Sequence, residues 1–167
     1  MMKRTAMEAA VRKLADRSQT CAELAKWLAD REYPEEEIRQ VLADCLEYGY
    51  LDDTRYCREY FRLAFRKNKA SRRAFDELKQ RGVSEEVIAN AYEDFLEEED
   101  GFDGEEARAE REMEKILRNA GLSREDEIPE KIAARIGRRL SSYGYSTSLI
   151  YRLLGKLKRE KKWTGRF

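Results

Sequence analysis

Arg55, Arg58, Arg62 and Arg66 recur at steps of three and four residues within "GYLDDTRYCREYFRLAFRK" (49–67). On a helix, that spacing sets four guanidinium groups along one stripe. Each guanidinium is a planar fork that pairs in bidentate fashion with a carboxylate or a phosphate. Lys67, Lys69, Arg72 and Arg73 carry the positive charge onward, and a second basic block follows with Arg138, Arg139, Arg152, Lys156, Arg159 and Lys162. The chemistry open to both blocks is anion binding. Bond-making chemistry is poorly supplied. Histidine is absent, which removes the commonest general base and the commonest metal ligand. No phosphate-binding glycine loop, dinucleotide fingerprint or nucleophile elbow occurs. The expectation is a non-enzymatic protein with no catalytic residue, no metal and no cofactor.

The blocks sit in a chain of 167 residues and zero net charge. Residues 1–54 sum to −4, 55–81 to +7, 82–92 to −2, 93–130 to −11 and 131–167 to +10. Two basic blocks are thus separated by an acidic one. Such asymmetry points to an anionic partner met by part of the surface; the competing reading is internal pairing between blocks. Charged residues make up 41% of the chain, with two prolines and nine glycines, a balance typical of mostly helical proteins. No apolar run reaches the roughly 18–20 residues of a membrane span. The amphipathic N-terminus lacks the apolar core of an export signal. A cytoplasmic protein without membrane contact is expected. Cys21, Cys45 and Cys57 are odd in number and lack C-x-x-C spacing, so reduced thiols without disulfide are expected.

The elements that must position these charges repeat along the chain. "LADREYPEEEI" (28–38), "LKQRGVSEEVI" (78–88) and "LSSYGYSTSLI" (140–150) align without adjustment. Leu28 and Ile38, Leu78 and Ile88, and Leu140 and Ile150 mark the ends of each window and are predicted core positions. Pro34, Ser84 and Ser146 fall where a helix starts; proline suits a first helical position and serine caps a first turn. After each Ile, apolar residues continue at i+4 and i+7: Leu42 and Cys45, Tyr92 and Phe95, Leu154 and Leu157. A further helix precedes each pair, at about 6–16, 53–67 and 104–119, and Thr5-x-x-Glu8 and Thr20-x-x-Glu23 read as capping boxes. The fold predicted is all-α: a tandem array of three helix-turn-helix-like three-helix repeats (5–51, 52–98 and 99–162), elongated and curved, the third with an inserted acidic and polar linker. One such unit buries too little apolar surface to be secure alone.

The Gly-Val-Ser turn at 82–84 is common in DNA-reading helix pairs. Its second helix opens with Glu85 and Glu86, and its counterpart with Glu35, Glu36 and Glu37. Phosphates repel such helices. Only the third unit ends in a basic helix, which makes it the choice for phosphate contact. Between units one and two, Gly49 should end a helix in left-handed conformation. Tyr50 and Leu51 should pack across the unit boundary, and Asp52 and Asp53 should cap the next helix. Tyr56, Tyr60, Phe61, Ala64 and Phe65 make that helix's buried side.

Repeat, junction and basic middle together resemble the RecX family, regulators of the RecA recombinase. The residues that carry the resemblance are "YGYLDDTRYCREY" (48–60) and "SRRAFDELKQRGVSEEVIANAY" (71–92), with "TCAELAKWLADREYPEEEIRQVL" (20–42) and "KIAARIGRRLSSYGYSTSLIYRLL" (131–154). It covers about residues 6–160. Glu32 departs from it, standing where a glycine is common, and the linker 93–130 is unusually acidic. The resemblance implies a monomer that binds the RecA filament on single-stranded DNA, interferes with its ATP hydrolysis and strand exchange and affects filament growth or persistence, by inhibition or by filament remodelling. It places the protein in DNA recombination, DNA repair and the SOS response, with weak direct DNA binding as a further expectation. Two rival classes stand beside it: a stand-alone helical DNA-binding protein, and a generic helical scaffold for another protein.

Overall fold

The computed structural model describes the backbone of residues 2–164 and the side chains of residues 2–157. Among these the protein is all-α: α1 (Ala6–Asp16), α2 (Cys21–Asp30), α3 (Glu35–Glu47), α4 (Asp53–Arg66), α5 (Ser71–Gln80), α6 (Glu85–Glu98), α7 (Glu105–Asn119), α8 (Glu130–Ser142) and α9 (Thr147–Thr164). No helix among the described residues is long and apolar enough to cross a membrane. Both expected capping boxes are present: Thr5 and Glu8 open α1, and Thr20 and Glu23 open α2. Ser84 and Ser146 each accept a bond from the amide three residues on. Pro34 is one position earlier than expected: it is the N-cap of α3, extended at ψ 145°, and the helix begins at Glu35.

The three aligned windows fold into the same turn. The amide of Tyr33 donates to the Leu28 carbonyl, that of Val83 to Leu78, and that of Tyr145 to Leu140. This six-residue closure requires a left-handed residue just before the donor. Glu32, Gly82 and Gly144 occupy that place, with φ of 65°, 85° and 93°. All six window-end residues, from Leu28 to Ile150, are buried. The periodic apolar face is therefore the core, and the turn fixes the angle between the two helices that share it.

The chain divides into two compact units, and the division runs through α4 and α5. The first unit comprises residues up to Phe61 and from Phe75 to Glu99. In it α1, α2 and α3 pack around Ala6, Ala10, Leu24, Leu28, Val41 and Cys45. Phe61, Phe75, Tyr92 and Phe95 form an aromatic cluster there, with ring centroids 5.1–5.9 Å apart. The second unit comprises Arg62–Ala74 and the chain from Asp100 onward. In it α8 packs against both α7 and α9, over Met113, Leu117, Ile136, Leu140, Leu153 and Leu157.

The junction differs from its expected form in three ways. Gly49 is left-handed, at φ 77°, as its place after α3 requires. Tyr50, however, is 53% exposed, with its ring centroid 5.9 Å from that of Tyr48. Leu51 is buried, but it packs back into the core of α1–α3; an apolar side chain two residues past the glycine folds over the helix it has just left. Asp52 caps α4 by accepting from the Arg55 amide at 3.0 Å. Asp53 instead accepts from the Cys21 amide at 2.9 Å, at the start of α2. A carboxylate at a helix N-terminus offsets the free amides there, and here the helix served lies 32 residues away in sequence. On α4, Phe61, Ala64 and Phe65 are buried as expected, whereas Tyr56 and Tyr60 are half-buried beside Arg81.

Candidate anion-binding surface

The division into units regroups the charge. Lys and Arg number 12 against 22 Asp and Glu in the first unit, a net −10; in the second they number 22 against 12, a net +10. Of the proposed contact residues, Arg55 and Arg58 belong to the first unit. Arg62, Arg66, Lys67, Lys69, Arg72, Arg73, Arg138, Arg139, Arg152 and Lys156 all belong to the second. Arg159 and Lys162 lie outside the described side chains. Two blocks some 70 residues apart in sequence thus share one compact body.

The second unit holds the first block by backbone contacts. The Ala70 amide donates to the Tyr143 carbonyl at 2.9 Å, and the Tyr145 hydroxyl donates to the Asn68 carbonyl. The Arg73 backbone lies so close to Gly144 that a Cβ there would come within 2.9 Å of the Arg73 nitrogen. Asn68, left-handed at φ 63°, closes the end of α4. Its side chain enters a buried polar set: it donates to Glu112 at 3.2 Å, and Glu112 accepts from Arg139 at 3.1 Å. Arg108, 4% exposed, stacks on Phe65 at 3.9 Å and donates to the carbonyls of Lys69 and Asp103. Glu105 accepts from the Ser71 amide at 2.9 Å and so caps α5. Burial pushes the Tyr145 hydroxyl up to about 12, so it stays a donor at neutral pH. The turn between α4 and α5 is thereby fixed by groups on its inner side, while its cations face out.

The cations differ in how committed they are. Arg58 pairs with Glu98 at 3.0 Å, and Arg55 donates to the Gly49 carbonyl. Arg62 is half-buried, so the four arginines are not one uniform exposed stripe. Arg152 pairs with Glu106 at 3.5 Å, and Lys156 bridges Glu106 and Glu110 at 3.0 and 3.2 Å. Those bonds hold the Glu106 carboxyl below its usual range, chiefly through Lys156. The acidic linker therefore offsets part of the second basic block, which is the internal pairing weighed above. Arg66, Lys67, Arg72 and Arg138 are exposed and make no ion pair among the described residues. The polar set of Asn68, Arg108 and Glu112 was missed by sequence reasoning. Its one signal was Asn68 directly after a basic helix end, where asparagine tolerates left-handed backbone.

An all-α protein of repeated three-helix units with a cationic turn held from its inner side is, by class, a helical-repeat protein with a candidate anion-binding surface. The sequence pattern of "RecX, first three-helix domain" matches residues 6–45, and that of "RecX, second three-helix domain" matches residues 52–91. The Regulatory protein RecX of Trichlorobacter lovleyi is 33% identical over 150 residues, spanning 89% of this chain and 92% of that protein. That of Vibrio parahaemolyticus is 36% identical over 109 residues, 65% of this chain and 69% of the relative. A crystal structure of RecX from Lactobacillus salivarius shares the fold, with a TM-score of 0.69 at 16% identity over 92% of this chain and 95% of that one. The chain belongs to the RecX family of regulatory proteins.

Proposed function

We propose that this protein modulates the RecA recombinase by binding its filament on single-stranded DNA, most directly lowering ATPase and strand-exchange activity. Membership of the RecX family supports the reading, and the observation that carries it is the net +10 unit with Arg66, Lys67 and Arg72 exposed and without an ion pair among the described residues. The protein acts by occupancy, in the cytoplasm, with no bond made or broken. Arg66, Lys67, Arg72 and Arg138 make the contacts to phosphate or to recombinase carboxylates. Arg152 and Lys156 contribute less, because a partner must first displace Glu106 and Glu110. Arg55, Arg58, Arg62, Lys69, Arg73, Arg139, Arg159 and Lys162 complete the basic surface, and repeats 5–51, 52–98 and 99–162 act together as one array.

The test is RecA ATPase on single-stranded DNA with the wild-type protein and with Arg66→Glu/Arg72→Glu. Wild type should inhibit, and the variant should inhibit at least tenfold less well at unchanged stability, since exposed substitutions alter stability by about 0.5 kcal/mol at most. Equal inhibition by both proteins removes the turn from the interface. No effect of wild type on ATPase removes the recombinase reading.

A further inference from the structure

The first unit is net acidic, yet Lys3, Arg4, Arg12, Lys13 and Arg31 ring one cleft of about 550 Å³ on it. Among the described residues none of the five makes an ion pair, although Asp16, Asp30 and Glu32 also line the cleft. Trp27 and Tyr33 form the apolar part of its wall. The Arg31 guanidinium lies over the Trp27 ring at 4.0 Å, the Lys13 ammonium over the same ring at 5.5 Å, and the Lys3 ammonium over Tyr33 at 4.2 Å. The Lys3 ammonium also donates to the Arg31 carbonyl at 2.6 Å, which ties the N-terminal segment to the end of α2. A second cleft of about 440 Å³ shares Lys13, Trp27 and Asp30 and adds Lys26, Arg81 and Glu23.

An arginine lying over an indole keeps its N–H fork above the ring, in the guanidinium's own plane, free at its edge and already ordered. Anion binding then costs less side-chain entropy. Two adjoining clefts that share one tryptophan suit an extended ligand better than a compact one. Cations interleaved with aromatic rings are the usual lining of a single-strand groove, where phosphates meet the charges and bases meet the rings. We infer that this cleft binds a segment of single-stranded nucleic acid, phosphates on Arg12, Lys13 and Arg31 and a base against Trp27. The inference goes beyond the proposed function, because it puts a strand on the acidic unit and needs no recombinase.

The probe is a fluorescein-free thymidine oligonucleotide, and the readout is Trp27 fluorescence in a Trp163→Phe background, where Trp27 is the chain's one remaining tryptophan. Saturable quenching is expected, with affinity falling as salt rises. Lys13→Glu/Arg31→Glu should weaken it at least tenfold and flatten the salt slope by about 1.4, since each lost phosphate contact removes about 0.7 for a single strand. Arg12→Glu guards against misfolding: Arg12 is exposed and makes no side-chain bond among the described residues, and its reversal should weaken binding several-fold with the circular dichroism unchanged. Arg66→Glu/Arg72→Glu should leave the quenching intact, which separates this site from the turn on the other unit. Absence of quenching overturns the inference, as does quenching that Arg12→Glu leaves untouched. Quenching by polyglutamate in preference to the oligonucleotide also overturns it and makes the cleft a site for acidic protein.

Discussion

The two units carry opposite charge and hold it in different ways. In the first, acids gather on the opening turns of α3 and α6, at Glu35, Glu36, Glu37, Glu85 and Glu86. A helix N-terminus favours negative charge there. Its cations gather instead around Trp27 and Tyr33. In the second, α7 supplies Glu106, Glu110 and Glu112 as partners for α8 and α9, while Arg66, Lys67 and Arg72 beside the α4–α5 turn make no ion pair among the described residues. A net charge of zero therefore says little about the surface a partner meets. What decides it is which carboxylates reach which cations, and the helix packing sets that.

The sharpest way to break the comparison is at the turn both units share. Gly82 belongs to the first unit and Gly144 to the second, and both are left-handed. A Cβ at Gly82 would lie 2.3 Å from that of Ala22, and one at Gly144 would lie 2.8 Å from that of Arg73 and 2.9 Å from the Arg73 nitrogen. Left-handed backbone costs an ordinary residue about 1–2 kcal/mol, and overpacking adds roughly 1–3 kcal/mol. Gly82→Ala and Gly144→Ala should each lose roughly 2–5 kcal/mol in urea unfolding. A loss below about 1 kcal/mol in either would show that its unit tolerates a looser turn. Leu78→Ala should cost a similar roughly 2–5 kcal/mol, because Leu78 is fully buried.

Smaller effects sharpen the contrast between the interiors. Glu112, 1% exposed, bridges Asn68 and Arg139 within the second unit. Glu112→Ala should cost about 1–3 kcal/mol, because it leaves the buried Asn68 amide donor unmet. In the first unit the ionisable interior is made of thiols. Burial, reinforced by Asp53, pushes Cys21 and Cys57 up to about 12 from 9.0. A raised pKa means the folded state favours the neutral thiol. Stability is then complete below about pH 9 and is lost as pH rises towards 12. Tyr145, raised to about 12 from 10.0, gives the second unit a window that opens about one pH unit later. Alkaline unfolding followed by circular dichroism should begin near pH 9, and Cys57→Ala should make the loss of stability between pH 9 and 12 shallower, while Cys21 keeps the onset where it is. An unchanged slope would remove Cys57 from the alkaline transition.

The repeat was legible because it is periodic: a Leu, an Ile ten residues on and an apolar face beyond describe the same core three times. The helix starts were legible from their caps for the same local reason. The junction was only half legible. Asp52 acts on its own helix, so sequence found it; Asp53 acts on α2, and nothing near residue 53 says so. The pairing of Lys156 with Glu106 and Glu110 was open in sequence, because charge blocks do not state their geometry. The cleft around Trp27 was hidden because its cations are scattered from Lys3 to Arg31 among acids, with no block to notice.

Glu32 offers the smallest effect and the most specific. It stands at the same place in the turn as Gly82 and Gly144, also left-handed, but it bears a side chain. That side chain is exposed, so no packing recovers the backbone cost. Glu32→Gly should relieve about 1–2 kcal/mol of left-handed strain. The glycine gives back roughly 0.5–1 kcal/mol through a freer unfolded chain, so the net gain should be about 0.5–1 kcal/mol. Glu32→Ala keeps the strain and should show no such gain. Both substitutions remove a negative charge from the rim of the Trp27 cleft, so both should tighten oligonucleotide binding there to the same degree. A stability gain in glycine alone, with equal tightening in both, would separate the residue's backbone effect from its charge. Equal stability of the two variants would mean that the first unit bears its left-handed residue without strain, unlike the positions held by Gly82 and Gly144.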